Sequence, residues 1–410
     1  MKYFSKRTIP TNENNYGLNF FLSVPSCFIR FIVGCGLVSV GIFVSATGGS
    51  WDITNHLLNR PETFFSAPHA LLYSGVGIAI FGSVIAYKAS RSVSSFESML
   101  NLSAKLIFVG ISMLIVAGPI DFAWHSSFGL DGLLSPPHIV LLSGMIVSSV
   151  GAMMGFVFYV AAEKTYIDKS RGNTTHFTKL RTRQLRAPMI LSIVIGFLPI
   201  WMTLSGLISM FSLPFSKTQY FNFNPDPLAA AILASVAYPF IISFVLCSSF
   251  FLVKKFGVLS IIGACYLTIN VITVIMPNES LIPTIPFYVL NMLPVLASDI
   301  LLSFSNDKLY SVLLPGAILA SCFFMIQYPL ITHVYNEVFT KEAFVWPSLT
   351  SSIYFGMITK IYPYLIAPAL GMGIVGATIA RKVTNTYRLT RDQDISETPT
   401  TTTTDEQRTP

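Results

Sequence analysis

The chain has 410 residues, of which 52% are hydrophobic and only 11% charged, with a mean hydropathy of +0.63. Soluble chains carry roughly 25% charged residues, and here the apolar residues come in blocks near the roughly 20 that cross a bilayer. These figures exclude a secreted disulfide scaffold, a nucleic-acid-binding domain and a soluble dinucleotide-binding enzyme. The net charge of +7 fits lysine and arginine retained on the cytoplasmic side of a membrane protein.

Residues 1–25 form a polar N-terminal segment carrying Lys2, Lys6 and Arg7. Apolar blocks follow at 26–47, 66–88, 104–125, 136–162, 188–211, 228–253, 257–276, 282–303, 309–331 and 352–380. They are too long for strands, and a backbone in hydrocarbon must satisfy its own hydrogen bonds, so each is expected to be a helix. The fold expected is an all-α integral membrane protein of about ten transmembrane helices. The connection 163–187 holds Lys164, Lys169, Arg171, Lys179, Arg181, Arg183 and Arg186, the turn after 253 holds Lys254 and Lys255, and Arg381, Lys382, Arg388 and Arg391 follow the last block. The alternate connections carry only Arg60, Lys217 and Lys341. This alternation places both termini in the cytoplasm of a multi-pass cell-membrane protein. The expected organisation is a cytoplasmic segment 1–25, a duplicated hairpin module 26–162, a basic cytoplasmic loop 163–187, a further helical bundle 188–387 and a disordered tail 388–410 ending in a threonine run. The five cysteines all fall in apolar segments without a Cys-x-x-Cys pair, which argues against both disulfides and a thiolate metal site.

The most informative pattern is an internal repeat that relates helices 1–2 to helices 3–4. One copy reads Trp51-Asp52-Ile53-Thr54-Asn55-His56, then Glu62, then Ser66-Ala67-Pro68-His69. The other reads Asp121-Phe122-Ala123-Trp124-His125, then Asp131, then Ser135-Pro136-Pro137-His138. Asp52, His56, Glu62 and His69 stand 69 positions before Asp121, His125, Asp131 and His138, and Ser66, Pro68, Leu72, Ser74 and Gly75 keep the same register with Ser135, Pro137, Leu141, Ser143 and Gly144. Four of the six histidines lie in this pattern. An Asp and a His four residues apart share one helical face. The second His comes 13 residues later, after a proline suited to the first turn of a new helix. Each copy therefore reads as a helix end, a short loop and a returning helix whose histidine closes back on the Asp/His pair. Two imidazoles and a carboxylate suit copper, iron or zinc. Glu62 and Asp131 offer an extra ligand, a partner for an imidazole or a proton acceptor, and are the candidate catalytic carboxylates. One histidine near a membrane interface is usually a hydrogen-bonded anchor, but eight ionisable groups repeated in register at an apolar boundary are costly without partners.

The spacing Asp-x3-His-x12-His resembles the membrane-embedded metal motif of the C subunit of particulate methane and ammonia monooxygenases. The whole segment also looks like multi-pass membrane proteins of archaea and bacteria. The resemblance covers about residues 45–145. It implies copper held by Asp52, His56 and His69 and again by Asp121, His125 and His138, oxidation of a small or lipophilic substrate with dioxygen, and separate partner subunits. Both copies here carry Asp where that family has Asn in one. A metal transporter or delivery protein is the second reading, and a zinc-activated membrane hydrolase the third. The partners expected are membrane lipid and companion subunits, with no nucleic acid. Elsewhere in the apolar blocks Asn270, Asn291, Asp299 and Lys360 stand out, the last two as helix-end groups reaching for water.

Overall fold

The computed structural model describes residues 26–57, 63–91, 98–128, 134–171, 187–212, 227–275, 282, 285–305, 309–328 and 360–396. Every regular element among them is helical: α1 Ser26–Leu57, α2 Ala67–Arg91, α3 Ser98–Phe128, α4 Pro136–Arg171, α5 Ala187–Ser212, α6 Pro227–Val253, α7 Val258–Ile275, α8 Ile285–Leu290, α9 Met292–Ser303, α10 Leu313–Ala320 and α11 Tyr362–Ser396. Seven of these are long and apolar enough to cross a membrane, and three shorter apolar stretches, Val258–Thr273, Tyr288–Ser303 and Leu313–Gln327, complete the set. The ten stretches correspond to the ten apolar blocks of the sequence. Large apolar side chains such as Phe81, Phe108, Val116, Leu191 and Tyr364 remain on the outside, as expected of a bundle whose surroundings are hydrocarbon.

Four expectations need correction in detail. Helix α4 runs on to Arg171 and α11 to Ser396, past the points where the basic loop 163–187 and the tail 388–410 were expected to begin. Hydropathy marks where a helix leaves lipid, whereas Ala162-Glu163-Lys164 and Arg388-Leu389 are good helix formers that continue it in water. The remainder of those two segments, and residues 1–25, lie outside the described residues. The eighth block is broken at Asn291 into α8 and α9, and the ninth passes from a 3-10 turn (Leu309–Val312) through α10 into a π-helical stretch (Ser321–Gln327).

Close packing of α1 on α2 and of α3 on α4 dominates the first half. At these seams glycine lets backbones touch. A methyl at Gly41 would lie 2.5 Å from Ala79 N and 2.6 Å from Gly75 O, and one at Gly110 would lie 2.5 Å from Ser148 N and 2.6 Å from Gly144 O. These contacts are related residue for residue by the same 69 positions. Without a hydrophobic force between helices in lipid, such close approach and interhelical hydrogen bonds hold the pair. Ser45 Oγ donates to Leu72 O at 2.8 Å, and Ser103 Oγ to Gly151 O at 2.6 Å. Helix α5 packs on α4 and α6, while α11 covers α6 and α10. The buried centre includes Trp201 stacked on Tyr266, ring centroids 4.1 Å apart, and Tyr328 donating to Ser212 O at 2.6 Å.

Asp299 does not reach for water. It is fully buried, and its Oδ2 accepts from Gly257 N (3.0 Å), Ser260 N (3.0 Å) and Ser260 Oγ (2.7 Å). It thus caps α7 from α9, across a turn in which Gly257 has φ +95°, a conformation that favours glycine. Truncation by Asp299→Ala strands these donors in an apolar setting, at about 3 kcal/mol or more. A thermal or denaturant melt in detergent should show that loss, with Asp299→Asn, which keeps an acceptor oxygen, closer to wild type.

Candidate metal centre

The C-terminal turns of α1 and α3 and the first turns of α2 and α4 carry the repeated polar residues. Helix α1 has 32 residues, about 48 Å at 1.5 Å each, against a hydrocarbon core of roughly 30 Å. It is thus longer than a crossing requires, and Asp52 and His56 fall in its last two turns.

In the second copy the three expected ligands converge. Asp121 Oδ1 lies 3.6 Å from His125 Nε2 and 3.3 Å from His138 Nε2. The three ligand atoms all fall within 4.8 Å of one another. Asp121 and His125 share a face of α3 because they are one turn apart; His138 arrives from the first turn of α4, where Pro136 and Pro137 suit the helix start. An ion holding N and O donors at about 2.0–2.2 Å with tetrahedral angles sets them roughly 3.3–3.5 Å apart. The two Asp121–His separations, 3.3 and 3.6 Å, lie close to that spacing. Asp121 Oδ1 is buried and accepts no hydrogen bond among the described residues. A cation between the three groups would satisfy it. Their side chains are 15–23% exposed, so the group is partly open to solvent.

The first copy brings together Asp52 and His69, whose Oδ1 and Nε2 are 3.0 Å apart. A carbonyl can only accept, so the 2.9 Å contact of His69 Nδ1 with Thr63 O assigns the proton to Nδ1 and turns Nε2 toward Asp52. Fixing the ring by hydrogen-bonding its other nitrogen to a carbonyl is the usual arrangement of a ligating histidine. His56 belongs to α1, one turn beyond Asp52, but its side chain lies outside the described residues, as do Glu62 and Asp131. Among the described residues the Asp121/His125/His138 group is the one three-membered set able to hold a metal.

The two copies are neighbours. Phe64 packs on Phe122 at 5.2 Å, and on Tyr73 at 5.0 Å, while Tyr73 stacks on His69. Beneath them the buried Met210 of α5 touches Ile53, Leu134 and Ile139, so residues adjoining Asp52 and His138 press on the same side chain. The sequence pattern does not reveal Thr63 or Met210. A backbone carbonyl leaves no residue signature, and a methionine in an apolar block is indistinguishable from packing. Phe64 and Phe122 have a weak signal, being large aromatics beside the motif residues. No family model, no curated protein and no solved structure matches this chain.

Proposed function

We propose that the protein is a membrane metalloprotein that binds two ions, one at Asp121/His125/His138 and one at Asp52/His56/His69, and uses them in oxygen-dependent oxidation of a small or lipophilic substrate. The observation that carries this reading is the convergence of Asp121, His125 and His138 on one point. Its chemistry follows from the donor set: imidazole nitrogens with one carboxylate suit copper, with iron or zinc as the alternatives. The likeness of the spacing to the C subunit of copper membrane monooxygenases selects copper and oxidation among these. Bound copper supplies one-electron exchange with dioxygen.

The chain's own groups hold and orient. Each carboxylate lowers the net charge of its site by one, each returning histidine closes the site across the hairpin, and Thr63 O fixes the His69 ring. We assign proton acceptance to Glu62 and Asp131, seven residues ahead of His69 and His138 in their copies. Duplication of one helical hairpin accounts for the matched positions. The cation-rich connections support a reading with both termini in the cytoplasm and the sites at the outer face of the cell membrane, where partner subunits would deliver electrons.

Metal analysis of the purified, copper-equilibrated protein should find about two ions per chain. Oxygen uptake in the presence of a reductant and lipophilic substrates should depend on that copper. Copper accumulation in sealed vesicles without oxygen uptake would replace oxidation by transport. Absence of bound metal would remove both.

A further inference from the structure

Ser66 and Ser135 occupy equivalent positions, immediately before α2 and α4 and three residues ahead of His69 and His138. Their backbones behave as helix caps: Ser66 O accepts from Ala70 N at 2.8 Å, and Ser135 O from Ile139 N at 3.1 Å. Their hydroxyls do not. A capping serine oxygen ordinarily accepts from the second or third backbone N–H of the helix. Here the second positions are Pro68 and Pro137, which have none, and the third are the two histidines. Yet both Oγ atoms are buried and have no hydrogen-bond partner among the described residues, and Ser135 is only 1% exposed. A buried hydroxyl left unsatisfied is costly, and this chain carries it at both matched positions. Each serine stands at the helix start, three residues ahead of the returning histidine of its hairpin. At the second copy it accompanies another orphaned atom, Asp121 Oδ1.

We propose that Ser135 Oγ, and Ser66 Oγ in the first copy, hydrogen-bond the small exogenous ligand, water or a monovalent anion, that completes the coordination of each ion. This rests on the metal reading above and adds to it two positioning residues, one per site. The three-ligand set leaves a place for such a ligand, and the hydroxyl can donate to an anion or accept from a water. The repeated Ser-x-Pro-His then has a physical basis: serine serves the incoming ligand, proline removes one of the two N–H groups that compete for its hydroxyl, and histidine serves the ion.

The test uses the full chain loaded with cobalt(II), whose visible absorption reports its ligands, titrated with azide. Wild type should bind cobalt at both sites and shift its spectrum as azide enters. Ser135→Gly deletes the hydroxyl but remains an adequate cap, costing only about a few tenths of a kcal/mol in helix stability. It should keep the cobalt stoichiometry while azide affinity at one site falls roughly 10- to 100-fold, the loss of a hydrogen bond to a charged ligand. Ser135→Thr should restore it, and the double variant with Ser66→Gly should weaken both sites. Unchanged azide affinity in Ser135→Gly, with or without a lowered melting temperature, would overturn the proposal and leave the serine a structural residue. Failure of the wild type to take up cobalt or copper would instead overturn the metal reading on which it stands.

Discussion

Replacing His138 with alanine is expected to reduce bound copper from about two ions per chain to about one, with affinity at the altered site falling by more than roughly 100-fold. Loss of a mere supporting partner of a ligand typically costs 10- to 100-fold, so loss of a ligand should cost at least that. The side chain is the element that closes the site: Asp121 and His125 share α3, but His138 comes from α4 and alone spans the two helices, 3.3 Å from Asp121 Oδ1. Asp121→Ala should have the same effect on stoichiometry by removing the only carboxylate in the group. The fold should survive both changes, because these side chains lie at a helix end that the α3–α4 seam holds independently through Gly110, Gly144 and Ser103. Inductively coupled plasma analysis, paired with circular dichroism in the same detergent, separates loss of ion from loss of structure. Two ions retained in His138→Ala would show that the convergence is an ion pair and not a metal site.

Much of this arrangement is legible in the sequence because its signals are carried by side-chain type and spacing. Ten apolar blocks become ten helical stretches, since chain length in hydrocarbon leaves no other solution. Asp121, His125 and His138 meet because a four-residue step and a proline-started return are geometric instructions. The breaks at Asn291 and through Ser321–Gln327 are not legible in the same way. Hydropathy averages over a block and is blind to whether a carbonyl bonds four or five residues ahead. Asp299 misleads for a related reason: a lone acid near a helix end suggests contact with water, while its partners, the amides of Gly257 and Ser260, are backbone groups some forty residues distant in the chain. Thr63 escapes likewise, because only its carbonyl is used. Ser66 and Ser135 are visible as matched positions, but only the structure shows their hydroxyls withdrawn from the cap.

Gly48→Ala should disable the first site while sparing the second. Gly48 lies one helical turn before Asp52, and a methyl there would stand 2.5 Å from Leu72 N and 2.9 Å from Pro68 O, at the level of the turn that carries His69. Both obstructing atoms are backbone, so α1 and α2 must move apart, and overpacking of this kind costs about 1–3 kcal/mol. The separation it forces falls directly on the Asp52–His69 approach of 3.0 Å. The matching position in the second hairpin is Ala117, itself fully buried, and there the corresponding Asp121–His138 distance is the longer 3.3 Å. The second hairpin thus already accommodates the methyl that the first excludes. Gly49→Ala is the control: its methyl meets only Leu72 Cδ1, at 3.8 Å, and alanine favours the helix by about 1 kcal/mol. Gly48→Ala should lower the copper count by one per chain and depress the melting temperature, whereas Gly49→Ala should retain both ions and melt no earlier than wild type. Equal copper content in the two variants would mean that Asp52 and His69 do not depend on the closeness of this seam to hold an ion together.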